Sequence, residues 1–318
     1  MTFFDISALS LCCMKKDKQP PRVFHSISEL HRALGLPKPL HPLVTLVNYK
    51  DIQADTSELS KGLVLNFYKI SYKKHLTGKI KYGQGYYDFD EGGLSFTLPN
   101  QLLSTEDTDL NLDGFTLHIH PDFLQNYPLA AGIKKYGFFS YSVAEALHLS
   151  EKEKEIIISI FDNIRYELSG TIDNFSQDIV ISQIEQLLNY SNRFYSRQFI
   201  TRKAVHHDQL AKFESLLADY FDHEKTLITG LPSVQYFSDQ LNVSPHYLGD
   251  MLRSLTGQNT QQHIHAKLIE KAKELLGTSP LSIAEIAYKL GFEHPQSFHK
   301  IFKKKVNVSP LEFRESFQ

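Results

Sequence analysis

The residues with the clearest binding chemistry lie between Gln296 and Lys305. This stretch contains four lysines and no acidic residue. A lysine ammonium binds phosphate oxygens or the acceptor atoms of guanine, and a glutamine amide matches the hydrogen-bonding edge of adenine. On one exposed face of a helix, these side chains would recognise a nucleic acid.

Two histidines raise the alternative of metal chemistry. His118 and His120 are two residues apart, which places them on one face of a strand and makes them a candidate ligand pair. His75 is the nearest third histidine, and no glutamate lies at a recognisable offset. The segment around the pair fits a buried strand running into a turn equally well. We therefore expect no metal and no other cofactor.

Length and composition narrow the class of protein. The chain has 318 residues, of which 42% are apolar and 22% charged. That length corresponds to about two domains, and the composition excludes a mainly disordered or collagen-like chain. The only cysteines, Cys12 and Cys13, are adjacent, so we expect no disulfide framework and a cytoplasmic location. No apolar run approaches the ~18–20 residues of a membrane span, so no membrane is expected as a partner.

The formal charge of −2 argues at first sight against a nucleic-acid binder. Residues 208–318 are also nearly neutral, with 12 Lys+Arg and 13 Asp+Glu. The positive charge is therefore local, at 296–305. This distribution excludes only a promiscuous basic binder and predicts modest nonspecific affinity.

The first part of the chain has the texture of a β domain. Residues 1–22 are expected to be disordered, with Met14 as an alternative start, and a short helix is expected over 27–34. Short runs rich in β-branched and aromatic residues then alternate with Gly, Asn, Asp and Pro. The runs predict strands at 44–49, 63–70, 86–89, 94–98 and 115–119. Short strands with frequent turns are typical of a small barrel or sandwich.

Helical patterns begin near residue 149. Ser150 and Glu153 form a capping box, and a second amphipathic helix begins near Ser176. Both helices could cover the barrel or pair with a second subunit, and the sequence leaves these roles open. The polar segment 200–207 is predicted as a linker. Helices are then predicted at 208–222, 233–241, 245–254, 260–276, 282–290, 295–304 and 309–316.

Part of the helical region occurs twice. At an offset of 49, five residues of the first copy match five of the second: Val234, Phe237, Ser238, Leu241 and Val243 with Ile283, Ile286, Ala287, Leu290 and Phe292. The first helix of each copy is followed by Asn242 or Gly291, residue types that tolerate the left-handed turn at a helix end. Each copy is predicted to be a helix-turn-helix unit, and one helix of about 17 residues joins the two as a spacer of about 25 Å. A plain helical bundle is the alternative.

Residues 234–314 closely resemble the C-terminal DNA-binding domain of AraC/XylS-type transcription regulators. The matching segments are LNVSPHYL, the TG at 256–257, LIEKAKELL, LSIAEIAYKLGF, QSFHKIFKK and SPLEFR. The resemblance implies two helix-turn-helix units that read adjacent major-groove segments of double-stranded DNA. The sequence departs from the family pattern at Lys267 (usually Arg), Leu252 (usually Phe) and Asn307 (usually Gly). None of these changes threatens the fold.

The second helix of each predicted unit, here called its recognition helix, is the one expected to enter the major groove. The helical pattern leaves a polar face on each recognition helix. The residues expected there are His246, Gly249, Asp250 and Arg253 in the first helix and Gln296, Ser297, His299, Lys300, Lys303 and Lys304 in the second. The resemblance places base-reading positions at all four of the first set and at Gln296, Ser297 and Lys300. For each single residue, a solvated surface role is the alternative.

The β-rich segment resembles, more weakly, the cupin-like sensor barrel of many such regulators, chiefly in a hairpin at 85–101. Five aromatic residues of the β-rich segment could line a ligand pocket, although we favour a role in packing the core. They are Tyr72, Tyr82, Tyr86, Tyr87 and Phe96. The expected fold is thus α+β. A disordered N-terminus (1–22) precedes a cupin-like sensor and dimerisation domain (23–199), a linker (200–207) and an all-α DNA-binding domain (208–318).

Two functions remain. The leading one is a non-enzymatic, dimeric transcription regulator that also contacts RNA polymerase, with or without a small-molecule effector. Activation is the expected effect on transcription. The alternative is a metal-dependent cupin enzyme fused to a DNA-binding domain. Neither the effector nor the operator sequence can be read from the residues, and the choice between activator and repressor stays open.

Overall fold

The computed structural model describes residues 21–53, 62–77, 80–82, 85–87, 92–103, 111–142, 145–170, 173, 175–201, 203–222 and 225–316. The architecture is mixed α+β, with sheets in the N-terminal part and helices after them. The expected α+β class is therefore confirmed. Residues 1–20, most of the segment predicted to be disordered, lie outside the described residues.

Ten strands form the sheets. They are β1 (Arg22–Phe24), β2 (Val44–Asn48), β3 (Leu63–Leu65), β4 (Tyr68–Thr77), β5 (Ile80–Tyr82), β6 (Gly85–Tyr87), β7 (Gly93–Thr97), β8 (Leu102–Leu103), β9 (Asn111–Ile119) and β10 (Leu147–His148). The main sheet has five strands in the order β10-β7-β4-β9-β2, and its pairings are antiparallel. A smaller sheet has the order β1-β3-β8, with β1 and β3 parallel, and β5 pairs with β6.

The two faces of the main sheet differ in chemistry because side chains alternate along each strand. One face is apolar and buried against helices, with Tyr68, Ile70, Tyr72, Leu94, Phe96, Leu117 and Ile119. The opposite face is buried but polar, with Thr45, Ser71, Thr97, Thr116 and His118. A second, smaller core joins the three-stranded sheet to helix α1 (Ile27–Ala33) through Phe24, Ile27, Leu30, Leu34, Leu65, Phe67 and Leu103.

Helices α2 (Pro128–Gly132), α3 (Glu151–Ser169) and α4 (Ser176–Thr201) complete the N-terminal part. The predicted capping box of α3 is present, with Glu153 accepting from the Ser150 backbone N–H at 2.8 Å. Ile157, Ile160, Phe161 and Ile164 of α3 are buried. This stripe gives α3 its place against the sheet and α4.

The remaining helices form the C-terminal part. They are α5 (Lys203–Asp222), α6 (Lys225–Thr229), α7 (Val234–Leu241), α8 (Pro245–Thr256), α9 (Thr260–Thr278), α10 (Ile283–Lys289), α11 (Pro295–Val306) and α12 (Pro310–Glu315). Seven of the eight lie where the sequence predicts a helix, and the five-residue α6 is additional. Among the described residues, no helix has both the length and the apolar content needed to cross a membrane.

Two local expectations differ from the structure. The segment 200–207 was predicted as a linker, but α4 runs to Thr201 and α5 begins at Lys203. Polar residues are compatible with a helix as well as with a loop, so polarity alone did not mark a break. Arg22, placed in the disordered segment, begins β1.

The expected cupin-type hairpin at 85–101 was also wrong in its pairing. Strand β6 pairs with β5, whereas β7 pairs with β4 and β10. The physical reason is the apolar alternation of β7, whose Leu94 and Phe96 belong to the main core. Between the two strands, residues 88–91 lie outside the described part of the chain.

Gly291 provides a test of the packing between α6 and α10. Its φ is +92°, and a Cβ there would lie 2.7 Å from the carbonyl carbon of Gly230. We predict that Gly291→Ala lowers the free energy of unfolding by about 1–3 kcal/mol. The matched control is Gly277→Ala in α9, where a Cβ meets nothing within 4 Å, and which should be neutral or stabilising. Thermal unfolding followed by circular dichroism measures both, and equal midpoints would contradict the packing argument.

Candidate nucleic-acid interface

The first helix-turn-helix unit consists of α7 and α8. Asn242 ends α7 in the left-handed conformation with φ 54°, and the Val243 N–H donates to the Ser238 carbonyl at 3.0 Å. Ser244 then caps α8 by accepting from the Tyr247 N–H at 3.2 Å, with Pro245 at the first helical position. These are the features that the sequence predicts for the corner.

The second unit, α10 and α11, repeats the corner with a different residue. Gly291 takes the left-handed position with φ 92°, and the Phe292 N–H donates to the Ala287 carbonyl at 3.0 Å. One more residue precedes Pro295, the first residue of α11. The same backbone bond therefore closes both corners, as the internal repeat predicts.

Both recognition helices also end alike. Gly257 follows α8 with φ 77° and Asn307 follows α11 with φ 67°. Their N–H groups donate to the carbonyls of Arg253 and Lys303, at 2.9 Å in each case. Asn307, the departure from the family pattern, thus adopts the turn.

Helix α9 spaces the two units. Asn259 and Gln262 form a capping box at its start, and the buried residues Ile264, Leu268, Ile269, Ala272 and Leu276 fix it in the core. Its 19 residues span about 28 Å. The guanidinium of Arg314 donates to the Leu276 carbonyl at 3.3 Å, which holds α12 against the end of this spacer.

The second recognition helix presents its polar face to solvent. Phe298 and Phe302 are buried, and all six predicted contact residues are exposed: Gln296, Ser297, His299, Lys300, Lys303 and Lys304. The positive field also acts on α9, where burial first, and then the charges of Lys305 and Lys304, lower the pKa of His265. This face has the charge and the accessibility needed to meet a phosphate backbone.

The first recognition helix is less accessible. His246 and Arg253 are exposed, whereas Gly249 and Asp250 are partly buried. Asp250 pairs with the Arg253 guanidinium at 2.6 Å and accepts from the Tyr141 hydroxyl at 2.7 Å. Burial, and then the Asp250 charge, raise the pKa of Tyr141. Two of the four predicted contact residues therefore already interact with each other.

The contacts from the N-terminal part to α8 had no signal in the sequence. The Glu145 carboxylate accepts from the Ser244 N–H at 2.5 Å and from the Ser244 hydroxyl at 2.6 Å. Burial raises the pKa of Glu145, and the hydrogen bonds from Ser244 oppose this shift. The partners are 99 residues apart, so no local pattern indicates the pairing.

The histidines considered as metal ligands do not form a cluster. His118 is 2% exposed on the polar face of β9, while His120 lies beyond the end of that strand, where its ring accepts from the Asp122 N–H at 3.3 Å. The side chain of His75 lies outside what is described. Within the described residues, no three His, Cys, Asp or Glu side chains are placed to hold a metal ion.

The polar face around His118 is nevertheless unusual. Its Nδ1 has no hydrogen-bond partner among the described residues, and burial first, then the charge of Lys69, lowers its pKa. The aromatic residues Tyr72 and Phe96 lie on the other face and are 1% and 3% exposed in the core, as favoured from sequence. The side chains of Tyr82, Tyr86 and Tyr87 are not among those described.

The match to a protein-family model lies in the C-terminal part of the chain. Residues 237–316 match a family model described as a helix-turn-helix domain. The xylose operon regulatory protein of Escherichia coli K12 is 34% identical over 77 residues, which are 24% of this chain and 20% of that protein. The transcriptional activator RhaS of Escherichia coli O1:K1 is 32% identical over 78 residues, 24% of this chain and 28% of that protein. The chain thus spans less than a third of the length of these relatives.

Among solved structures, the C-terminal domain of the response regulator yesN from Fusobacterium nucleatum is 31% identical. The match covers 32% of this chain and 96% of that domain, with a TM-score of 0.29. This score is too low to support an argument about the fold. The assignment of residues 237–316 as a helix-turn-helix domain rests on the family match and on the two corners described above.

The left-handed residue after α11 yields a prediction. Asn307→Val should lower the free energy of unfolding by about 1–2 kcal/mol, because a β-branched side chain clashes in this conformation. Asn307→Gly should leave stability unchanged or raise it. The control, Asn163→Val at an exposed position of α3, should have little effect. A thermal unfolding midpoint of Asn307→Val equal to that of the parent chain would refute the role of this turn.

Proposed function

Since residues 237–316 form a helix-turn-helix domain of the AraC type, we propose that the chain is a sequence-specific DNA-binding regulator of transcription. The single observation that carries the proposal is the pair of matching corners, each followed by a helix with a polar outer face. A recognition helix held in this way enters the major groove of double-stranded DNA.

The two units would read adjacent segments of the major groove. The spacer helix of about 28 Å is comparable to one turn of DNA, about 34 Å. On α11, Gln296 and Ser297 near the helix start would face base edges, together with Lys300. His299, Lys303 and Lys304 would face phosphates. On α8, the base-reading positions would be His246, Gly249, Asp250 and Arg253.

The binding affinity would come mainly from the second unit. Lys300, Lys303 and Lys304 are exposed on α11, whereas Arg253 of α8 is paired with Asp250. Neutralising phosphates releases counterions, so each free lysine adds to the salt dependence of binding. A near-neutral chain with one basic helix fits a binder whose nonspecific affinity is modest.

The N-terminal part, in this proposal, sets the arrangement of two copies and senses an effector. Large apolar side chains are exposed around α3 and α4, with Tyr166 at 81%, Phe175 at 67% and Ile179 at 42%, which supports a homodimer surface. The buried polar face with His118 supports a small-molecule site in a cupin-like interior, because burying unpaired polar groups is costly.

Contact with RNA polymerase, activation rather than repression, and a cytoplasmic location complete the proposal. The alternative of a metal-dependent enzyme is not favoured, since two matched relatives, the xylose operon regulatory protein and RhaS, are named as regulators of transcription.

Two lysine variants test the docking of α11. Lys300→Ala should weaken binding to a selected duplex by about 1–3 kcal/mol, because it removes a base or phosphate contact. Lys303→Ala should mainly reduce the slope of binding against salt, by about one unit in a log–log plot. The measurement is fluorescence anisotropy at several salt concentrations, with a duplex selected from a random library by the full chain.

The matched control is Lys152→Ala, which removes an exposed lysine from α3 in the N-terminal part. This variant should bind like the parent chain. Unchanged affinity and unchanged salt dependence in both α11 variants would rule out the docking geometry.

A further inference from the structure

The first recognition helix is in contact with the N-terminal part at three points along its length. Its N-terminal cap is bound by Glu145, its Tyr247 ring is in edge contact with Tyr141, and Asp250 lies against the backbone at Gly137. The N-terminal residues that make these contacts are Gly137, Tyr141 and Glu145. We call these three residues the clamp.

The clamp places a negative charge at the start of α8. Both the N–H and the hydroxyl of Ser244 donate to the Glu145 carboxylate, which is only 7% exposed. The start of a recognition helix is the part that approaches base edges and backbone in the major groove. A DNA phosphate at this position would be repelled by the Glu145 carboxylate and would overlap the clamp residues. DNA and the clamp therefore compete for the same end of the helix.

The clamp also engages a residue predicted to read bases. The Tyr141 hydroxyl donates to Asp250 at 2.7 Å. A Cβ built on Gly137 would lie 2.6 Å from the Asp250 carboxylate oxygen, which shows how closely the backbone approaches. In this position Asp250 interacts with the clamp and is not presented to a base.

Tyr247 of α8 adds an aromatic contact beneath the clamp. Its ring makes edge contacts with Tyr141 at 5.3 Å and with Phe199 at 5.2 Å between centroids. His206 is 1% exposed, and its Nδ1 donates to the Phe199 carbonyl at 2.9 Å. Its Nε2 therefore accepts from the Tyr247 hydroxyl at 3.1 Å. The end of α4, the start of α5 and α8 thus share one aromatic cluster.

The two recognition helices are in contrasting situations. The polar face of α11 is exposed, while the Ser244 cap and Asp250 of α8 are bound by residues of the N-terminal part. The DNA-binding domain can therefore offer one unit to DNA before the other becomes free.

We propose that the clamp is an autoinhibitory contact in which Glu145 and Tyr141 compete with DNA for the first recognition helix. The inference rests on the proposed function and extends it. In the clamped chain α11 alone binds DNA, and release of the three clamp residues from α8 lets α8 enter the adjacent groove. Only molecules with a released clamp bind through both units. The apparent affinity for a two-segment site is therefore the intrinsic affinity multiplied by the released fraction.

The test uses the full chain and the double variant Tyr141→Phe/Glu145→Ala. Each protein selects duplexes from a random library, and its affinity is then measured on the duplexes that it and the other protein select. The parent chain should enrich a motif covering one groove segment. The double variant should enrich that motif plus a second about 10 bp away, and should bind the longer site about tenfold more tightly than the parent chain.

Two controls separate release from general loss of structure. Tyr136→Phe removes a hydroxyl that donates to Asn189, and Glu153→Ala removes a carboxylate that binds Arg197, both within the N-terminal part. Together they should select the same motif as the parent chain. A second opening variant, Gly137→Asp, places a side chain and a like charge against Asp250 without changing Glu145 or Tyr141, and should behave like the double variant.

The outcomes separate this inference from the function on which it rests. If the parent chain and both opening variants enrich the same two-segment motif with equal affinity, the clamp does not compete with DNA and the inference is overturned. The same conclusion follows if the control pair gains the second segment. If no protein enriches any motif, the proposed function is itself wrong and the inference is overturned with it.

Discussion

The C-terminal architecture depends on one backbone hydrogen bond, made twice. The Val243 N–H donates to the Ser238 carbonyl and the Phe292 N–H to the Ala287 carbonyl, each across a left-handed residue. This bond ends the first helix of a unit and sets the direction in which the chain leaves it. The orientation of the second helix follows, and so does which of its faces is buried. Without the two corners, the lysines of α11 and the polar residues of α8 would have no defined relation to each other.

The two recognition helices use the same geometry for different purposes. Helix α11 exposes lysines and buries only phenylalanines, so its outer face is available to an anionic partner. Helix α8 has the same corner, but its cap and Asp250 are engaged by residues of the N-terminal part. Ser244 and Asp250 have their hydrogen-bond partners within the chain, so DNA would have to offer equivalent contacts to replace them. The competition that we propose would couple the state of the N-terminal part to DNA binding without any change in the corner itself.

Much of the C-terminal fold was predictable because its signals are local. Periodicity gave seven of the eight helices, and Ser150, Ser244 and Ser282 marked helix starts through capping chemistry. The strand runs predicted from sequence overlap β2, β3, β4, β6, β7 and β9, whereas β1, β5, β8 and β10 were not predicted. The pairing was not predicted either, since the parallel β1–β3 contact and the separation of β6 from β7 depend on partners distant in sequence. The contact residues of α11 were predicted to be exposed and are. Those of α8 were predicted from helical periodicity and from the family resemblance, and neither carries information about Tyr141, 109 residues away from Asp250.

The most direct test of the central claim is a genome-wide map of DNA bound by the full chain in its own cells. The account predicts enrichment at a limited set of sites that share one sequence motif, and loss of that enrichment in a Gln296→Ala/Lys300→Ala variant present at the same level. Absence of any shared motif would contradict the claim that this chain reads DNA sequence. Enrichment that persists in the variant would contradict the assignment of α11 as the reading helix.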